Sequence, residues 1–239
     1  MGRLRWIVLV LALLGAALPL WWLESARAGL DRQALAVGST PATVWRLPGA
    51  GPAPVVVIAH GFAGSRPLME GFAEALARVG YIAVAYDLAG HGRNPAPMSG
   101  DVTKIDGTTR VLMDELARVS DAALALPGAD GRLALVGHSM ASDIVVRQAM
   151  RDPRVGAVVA VSLFTRAATG TEPRNLLIVT GALEAGLTDE ALRTARLTDP
   201  AATASQTVGT PENARRAVLA PGVEHVGVLY SRTTLTETR

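Results

Sequence analysis

Residues 132–146 constrain the fold more than any other stretch. An apolar run leads to Gly137 and His138, a single serine, Ser139, stands at the corner, and an amphipathic run starts at Met140. That pattern reads as a strand, a one-residue turn and a helix. The same hand-over from apolar run to helical spacing recurs along the chain. Residues 55–60, 81–86, 156–163, 175–180 and 215–220 read as strands, and residues 42–47 also have strand character. Leu68, Phe72, Leu76 and Val79 recur on one helical face, with Ser65 placed to cap that helix and Pro67 in its first turn. Leu112, Leu116, Val119, Ala123 and Leu126 mark a second helix, and a third is expected around residues 188–196. Unbroken apolar strands are buried on both faces, and strands alternating with helices require crossover connections. The expected fold is therefore α/β: a mostly parallel central sheet with helices on both faces.

The amino end is separate from this pattern. Arg3 and Arg5 precede an uncharged apolar run over residues 6–23, with Trp6 at one end and Trp21 and Trp22 at the other. About 20 apolar residues span a bilayer, and tryptophans favour its two interfaces. The arginines ahead of the run favour an inside amino terminus, which sends the rest of the chain across the membrane. Ala26-Arg27-Ala28 could also serve as a cleavage site. Residues 1–28 are thus expected to be a membrane anchor or a signal segment, and residues 29–239 one extracytoplasmic domain, secreted if the leader is cleaved. The chain has no cysteine, which excludes disulfides, thiol catalysis and cysteine-ligated zinc. Net charge is only +2 with scattered basic residues, which gives no support to nucleic-acid binding.

In a parallel α/β sheet, chemistry sits in loops at the carboxyl ends of strands. Ser139 lies in such a loop, in a G-x-S-x-G nucleophile-elbow pattern with Ala141 in the last glycine position. A serine hydroxyl needs a base, and the chain offers four histidines. His60 lies in a strand-to-helix turn, His91 in the long polar loop of residues 87–107, and His138 directly beside the serine, pointing away from it. His225, after the last strand, remains. The acid must lie between Ser139 and His225. Glu184 comes straight off the strand of residues 175–180; Asp189 is the rival, in a Thr188-Asp189-Glu190 run that reads as a helix start. Backbone amides of Met140, at the helix start, and Phe62, in the turn after residues 55–60, are candidate oxyanion donors. No cofactor and no metal enter this reading.

Five motifs in one order, His60-Gly61-Phe62-Ala63-Gly64, Asp87-Leu88-Ala89-Gly90-His91-Gly92, Gly137-His138-Ser139-Met140-Ala141, Gly181-Ala182-Leu183-Glu184 and Glu224-His225-Val226-Gly227, resemble a serine hydrolase of the α/β-hydrolase superfamily over about residues 42–230. Within it the chain looks most like the dienelactone-hydrolase and small esterase/lipase group. The resemblance implies Ser139 as nucleophile, Glu184 as acid, His225 as base, and the Phe62 and Met140 amides as oxyanion donors. It implies cleavage of a small-molecule ester, lactone or lipid through an acyl-serine; the alternative is a catalytically silent binding module on the same fold. Residues 165–174 leave no room for a cap domain, so an open cleft is expected, partly sheltered by the 87–107 loop. The chain ends soon after His225, so the final helix is expected to be missing or barely begun, with apolar sheet surface left uncovered.

Overall fold

A computed structural model describes residues 2–98 and 105–239. The leading apolar run forms helix α1 (Arg3–Arg27), in which no residue is buried. The domain then begins with strands β1 (Asp31–Val37), β2 (Thr40–Arg46) and β3 (Ala53–Ala59), helix α2 (Glu70–Arg78) and strand β4 (Ile82–Tyr86). Helix α3 (Arg110–Leu124), strand β5 (Ala129–His138), helix α4 (Met140–Arg151) and strand β6 (Val155–Val161) follow. The chain continues through β7 (Leu176–Gly181), α5 (Ala185–Arg196), β8 (Thr207–Thr210), β9 (Asn213–Ala220) and α6 (Arg232–Glu237).

Among the described residues, nine strands join one sheet in the order β1-β2-β4-β3-β5-β6-β7-β9-β8. From β4 to β9 the pairings are parallel; β1, β2 and β8 add antiparallel margins. The expected fold class holds. Alternation along β3 shows why helices are needed on both faces: Val55, Val57 and Ala59 face a layer containing residues of α3, α4 and α5, while Val56 and Ile58 face α2. The segment between β6 and β7 carries no inserted helix, so no cap domain occurs there.

Several local expectations need correction. The uncovered sheet face does not occur, because Val228, Leu229 and Leu235, from the turn after His225 and from α6, fill it against Phe72 and Val218. Ser65 makes no capping bond. Its neighbour Arg66 instead donates its amide to Asp87 Oδ1 (2.8 Å) and its guanidinium to Asp87 Oδ2 (2.5 Å). Helix α5 starts at Ala185 rather than at Thr188, so Glu184 immediately precedes it. The edge strand β8 carried no apolar signal, being Thr-Val-Gly-Thr with one buried residue.

Two buried carboxylates set the course of the loop after β4. Asp87 holds Arg66 and the Arg93 amide (3.1 Å), and Glu115 of α3 accepts from the Thr40 hydroxyl (2.6 Å), the Ala89 amide (2.8 Å) and the Asn94 side-chain amide (2.7 Å). The middle of the 87–107 loop, residues 99–104, lies outside the described residues, so its expected sheltering role is followed only at its two ends.

Candidate active site

Strand β5 ends at His138 and α4 begins at Met140, so Ser139 alone makes the corner, with φ 53° and ψ −118°. Residues with a Cβ rarely adopt positive φ, and the surrounding structure must hold them there. The Ser139 amide donates to Val161 O of the neighbouring strand at 2.9 Å. Gly137 permits the sharp approach, because a Cβ at that position would stand 2.7 Å from Val145 Cγ2 of α4. Ala141, in the last glycine position of the motif, is fully buried without breaking the elbow.

The structure brings Ser139, His225 and Glu184 into one hydrogen-bonded row. Ser139 Oγ lies 2.8 Å from His225 Nε2, and His225 Nδ1 lies 2.8 Å from Glu184 Oε2. Because a carboxylate only accepts, Nδ1 carries the proton, leaving Nε2 free to accept from the serine hydroxyl. Glu184 is buried, and its other oxygen accepts from Ser162 Oγ (2.9 Å) and the Gly181 amide (2.8 Å). Asp189 lies exposed on α5 and takes no part in the row.

Three further contacts escaped the sequence reading. Ser162 looked like part of strand β6, but the strand stops at Val161 and Ser162 turns inward with φ 52°. Its signal was its place at a strand's carboxyl end. His138, set aside in the sequence reading, belongs to the site: its ring lies 4.9 Å from the His225 ring and its Nε2–H donates to the His225 carbonyl at 3.0 Å. Burial, and then the neighbouring His225, push His138 down to about 4. Glu224 accepts from the Val226 (2.8 Å) and Gly227 (2.7 Å) amides, which closes the turn that presents His225 and holds the Glu224 carboxyl below its usual range.

The turn after β3 packs directly on the elbow, since a Cβ on Gly61 would stand 3.0 Å from Ser139 Cβ. His60 fastens this turn. Its Nδ1–H donates to Gly61 O (2.7 Å) and its Nε2 accepts from the Leu88 amide (3.1 Å). Burial pushes His60 down to about 4, so the ring is neutral in the fold. His91 packs edge-on against both His60 and Phe62. Among the described residues, neither the Phe62 nor the Met140 amide donates in a turn, loop or cap hydrogen bond.

Ser139 and His225 open onto a cleft of about 580 Å³ whose lining includes Ile105, Thr109, Phe164 and Leu187. A second hollow of about 480 Å³ shares Phe164, Leu187 and His225 and is completed by Leu183 and Glu224. No group of three or more metal-ligating side chains occurs among the described residues.

Sheet order, elbow and loop placement are those of the α/β-hydrolase superfamily. More narrowly, residues 50–211 match the model of the serine aminopeptidase S33 family, and the chain belongs to that family. The match includes Ser139 and Glu184 and ends before His225; it falls on S33 rather than on the dienelactone-hydrolase group. No curated protein matches the chain. Among solved structures, a hypothetical protein of Pseudomonas aeruginosa is similar at 13% identity and TM-score 0.64, over 86% of this chain and 89% of its own. A bacterial membrane phospholipase A, described as a virulence factor, is similar at 17% identity and TM-score 0.59, over 98% and 94%. These two likenesses show the fold. An epoxide hydrolase from Vigna radiata is 25% identical with TM-score 0.43 over 56% of this chain, which spans 39% of that enzyme's length.

Proposed function

We propose that the protein is a serine hydrolase that cleaves carboxylic esters through an acyl-serine intermediate. The observation that carries this reading is the Ser139–His225–Glu184 row, with both hydrogen bonds at 2.8 Å. In the first half-reaction His225 Nε2 takes the Ser139 proton as Oγ attacks the ester carbonyl, then returns it to the departing alcohol oxygen. Water attacks the acyl-serine in the second half, its proton passing through the same nitrogen. Glu184 holds the ring in the required tautomer and stabilises the imidazolium that forms. The Phe62 and Met140 amides are the proposed donors to the carbonyl oxygen as it gains charge; Met140 opens a helix, where amides are unpaired.

Helix α1 supports a membrane-tethered protein with residues 29–239 as an extracytoplasmic catalytic domain. Its best window has a mean hydropathy of 2.2. Its 25 residues are long enough for a hydrocarbon layer of about 30 Å at 1.5 Å per residue.

The test is covalent labelling by a fluorophosphonate together with turnover of short p-nitrophenyl esters. Wild type should label and turn over, and Ser139→Ala should do neither while keeping its circular dichroism. Glu184→Gln should lower kcat by roughly 10²- to 10⁴-fold, the scale seen for a triad acid. Failure of correctly folded wild type to label would reject the enzyme and favour a silent binding module. A larger effect from Asp189→Asn than from Glu184→Gln would move the acid.

A further inference from the structure

One wall of the cleft carries charge that neither the fold nor acyl transfer uses. Beyond Ser139 it is built from Asp143 and Arg147 of α4 and from Phe164, Thr165 and Arg166, which follow β6. Asp143 is fully engaged, accepting from the Thr165 hydroxyl at Oδ1 (2.5 Å) and from Arg147 Nε at Oδ2 (2.7 Å). That leaves both terminal nitrogens of Arg147 without a protein partner among the described residues.

Arg166 is less compensated still. Its nearest carboxylate, Glu190, lies 3.8 Å away, and both Glu190 oxygens are already hydrogen-bonded by Arg193 at 2.7 and 2.8 Å. The Arg166 side chain is 70% exposed, and its guanidinium lies 5.8 Å from the centre of the Phe164 ring. Assigning each acid to its closer arginine leaves Arg166 as an unneutralised cation, and no carboxylate other than Asp143 lines this cleft among the described residues.

We propose that Arg166 and Arg147 recognise an oxyanion group, a carboxylate or a phosphate, carried by the substrate. The inference rests on the reading of Ser139 as an ester-cleaving nucleophile and names the class of ester it serves. A guanidinium fork fits both oxyanions with paired, charge-assisted bonds. The same wall disfavours a substrate presenting a free amine, which would meet like charge.

The experiment compares matched ester pairs at low ionic strength. One pair differs on the acyl arm, a p-nitrophenyl half-ester of glutaric acid against p-nitrophenyl pentanoate. A second differs on the alcohol arm, a butyryl ester of a hydroxy acid against that of a neutral alcohol of equal length. A third repeats both arms with a phosphate monoester in place of the carboxylate, which tells the two oxyanions apart. In at least one pair the anionic ester should have a tenfold or greater advantage in kcat/KM, shrinking as salt is raised. Arg166→Gln should cut that advantage about tenfold and Arg147→Gln should reduce it, while Arg166→Lys restores part of it. Equal rates within every pair, or an advantage that both glutamine variants leave intact, would overturn the proposal while leaving the ester hydrolase standing. If no ester of any charge is turned over and the fluorophosphonate does not label, the underlying reading fails instead.

Discussion

The proposed nucleophile and the serine that positions its proposed acid both sit in an uncommon backbone conformation. Ser139 and Ser162 both adopt positive φ, one at the end of β5 and the other at the end of β6. Ser162 donates to the Glu184 oxygen that does not face His225, so it fixes the carboxylate without touching the reacting atoms. Ser162→Ala leaves that oxygen with the Gly181 amide alone. A hydrogen bond to a charged acceptor is worth about 1.5–3 kcal/mol. We expect kcat to fall roughly 10- to 100-fold with KM little changed, read by steady-state kinetics on a short ester. Ser162→Thr, which keeps the hydroxyl, should recover part of the loss. Unaltered kcat in Ser162→Ala would show the Gly181 amide to be sufficient. Ser139, Glu184 and His225 were legible in the sequence because chain order and strand ends restrict the choices. Ser162 and His138 were not, because their contribution depends on where their side chains turn, and a serine closing an apolar run resembles any strand end.

At the scale of elements, the site depends on how tightly strands and helices approach each other. Gly137 sits where β5 meets α4, and a Cβ there would press on Val145 Cγ2 at 2.7 Å and on the Ala141 backbone. Gly137→Ala must shift α4 or the elbow, a change expected to cost about 1–3 kcal/mol, measurable as a lower urea midpoint, with activity falling as Ser139 moves. A midpoint and rate equal to wild type would mean the contact relaxes freely.

Two buried histidines join elements in a second way. His60 links the turn after β3 to the loop after β4, and His138 links the elbow to the His225 loop. Both are pushed down from 6.5 to about 4, so the folded state resists protonating them. Between those values the unfolded chain binds more protons, and stability therefore falls as pH drops from about 6.5 towards 4, while the contribution is complete above 6.5. Each histidine contributes about 3 kcal/mol over that window. Tm measured from pH 7 to 4 should decline, with a shallower decline in His60→Gln. A parallel decline in that variant would assign the acid sensitivity elsewhere. The sheet and its crossovers were legible from apolar runs, whereas β8 and the true start of α5 were not. Both are set by pairing with β9 and by the turn that places Glu184, and neither leaves an apolar signature.

For the whole molecule, what matters is how the exposed apolar helix meets the sheet domain. Strand β1 begins opposite Arg46, and β2 runs antiparallel to β4, so Arg46 lies towards the edge where the parallel strands start. Helix α1 therefore joins the sheet at the edge opposite Ser139. The joint is clamped. Arg27 reaches Glu70 (2.5 Å) and Glu74 (3.4 Å) of α2, Arg78 donates to the carbonyls of Ala26 and Ala28, and Arg32 reaches Glu70 at 3.3 Å. Leu30 packs against the core layer that contains α2 and α6. A chain beginning at Ser25 keeps this clamp, whereas one beginning at Gly29 removes Arg27 and leaves Glu70 and Glu74 together with Arg32 and Arg78. Because the charges are partly buried, the loss should exceed that of a surface pair, about 1–2 kcal/mol, or roughly 2–8 °C in Tm. Both truncated proteins should leave the membrane fraction and hydrolyse a soluble ester at similar rates, since the joint and the serine lie across the sheet from each other. Equal Tm values would show that the Arg27 contacts add nothing to the fold, and a selective loss of turnover in the shorter chain would show that the joint reaches the active site after all.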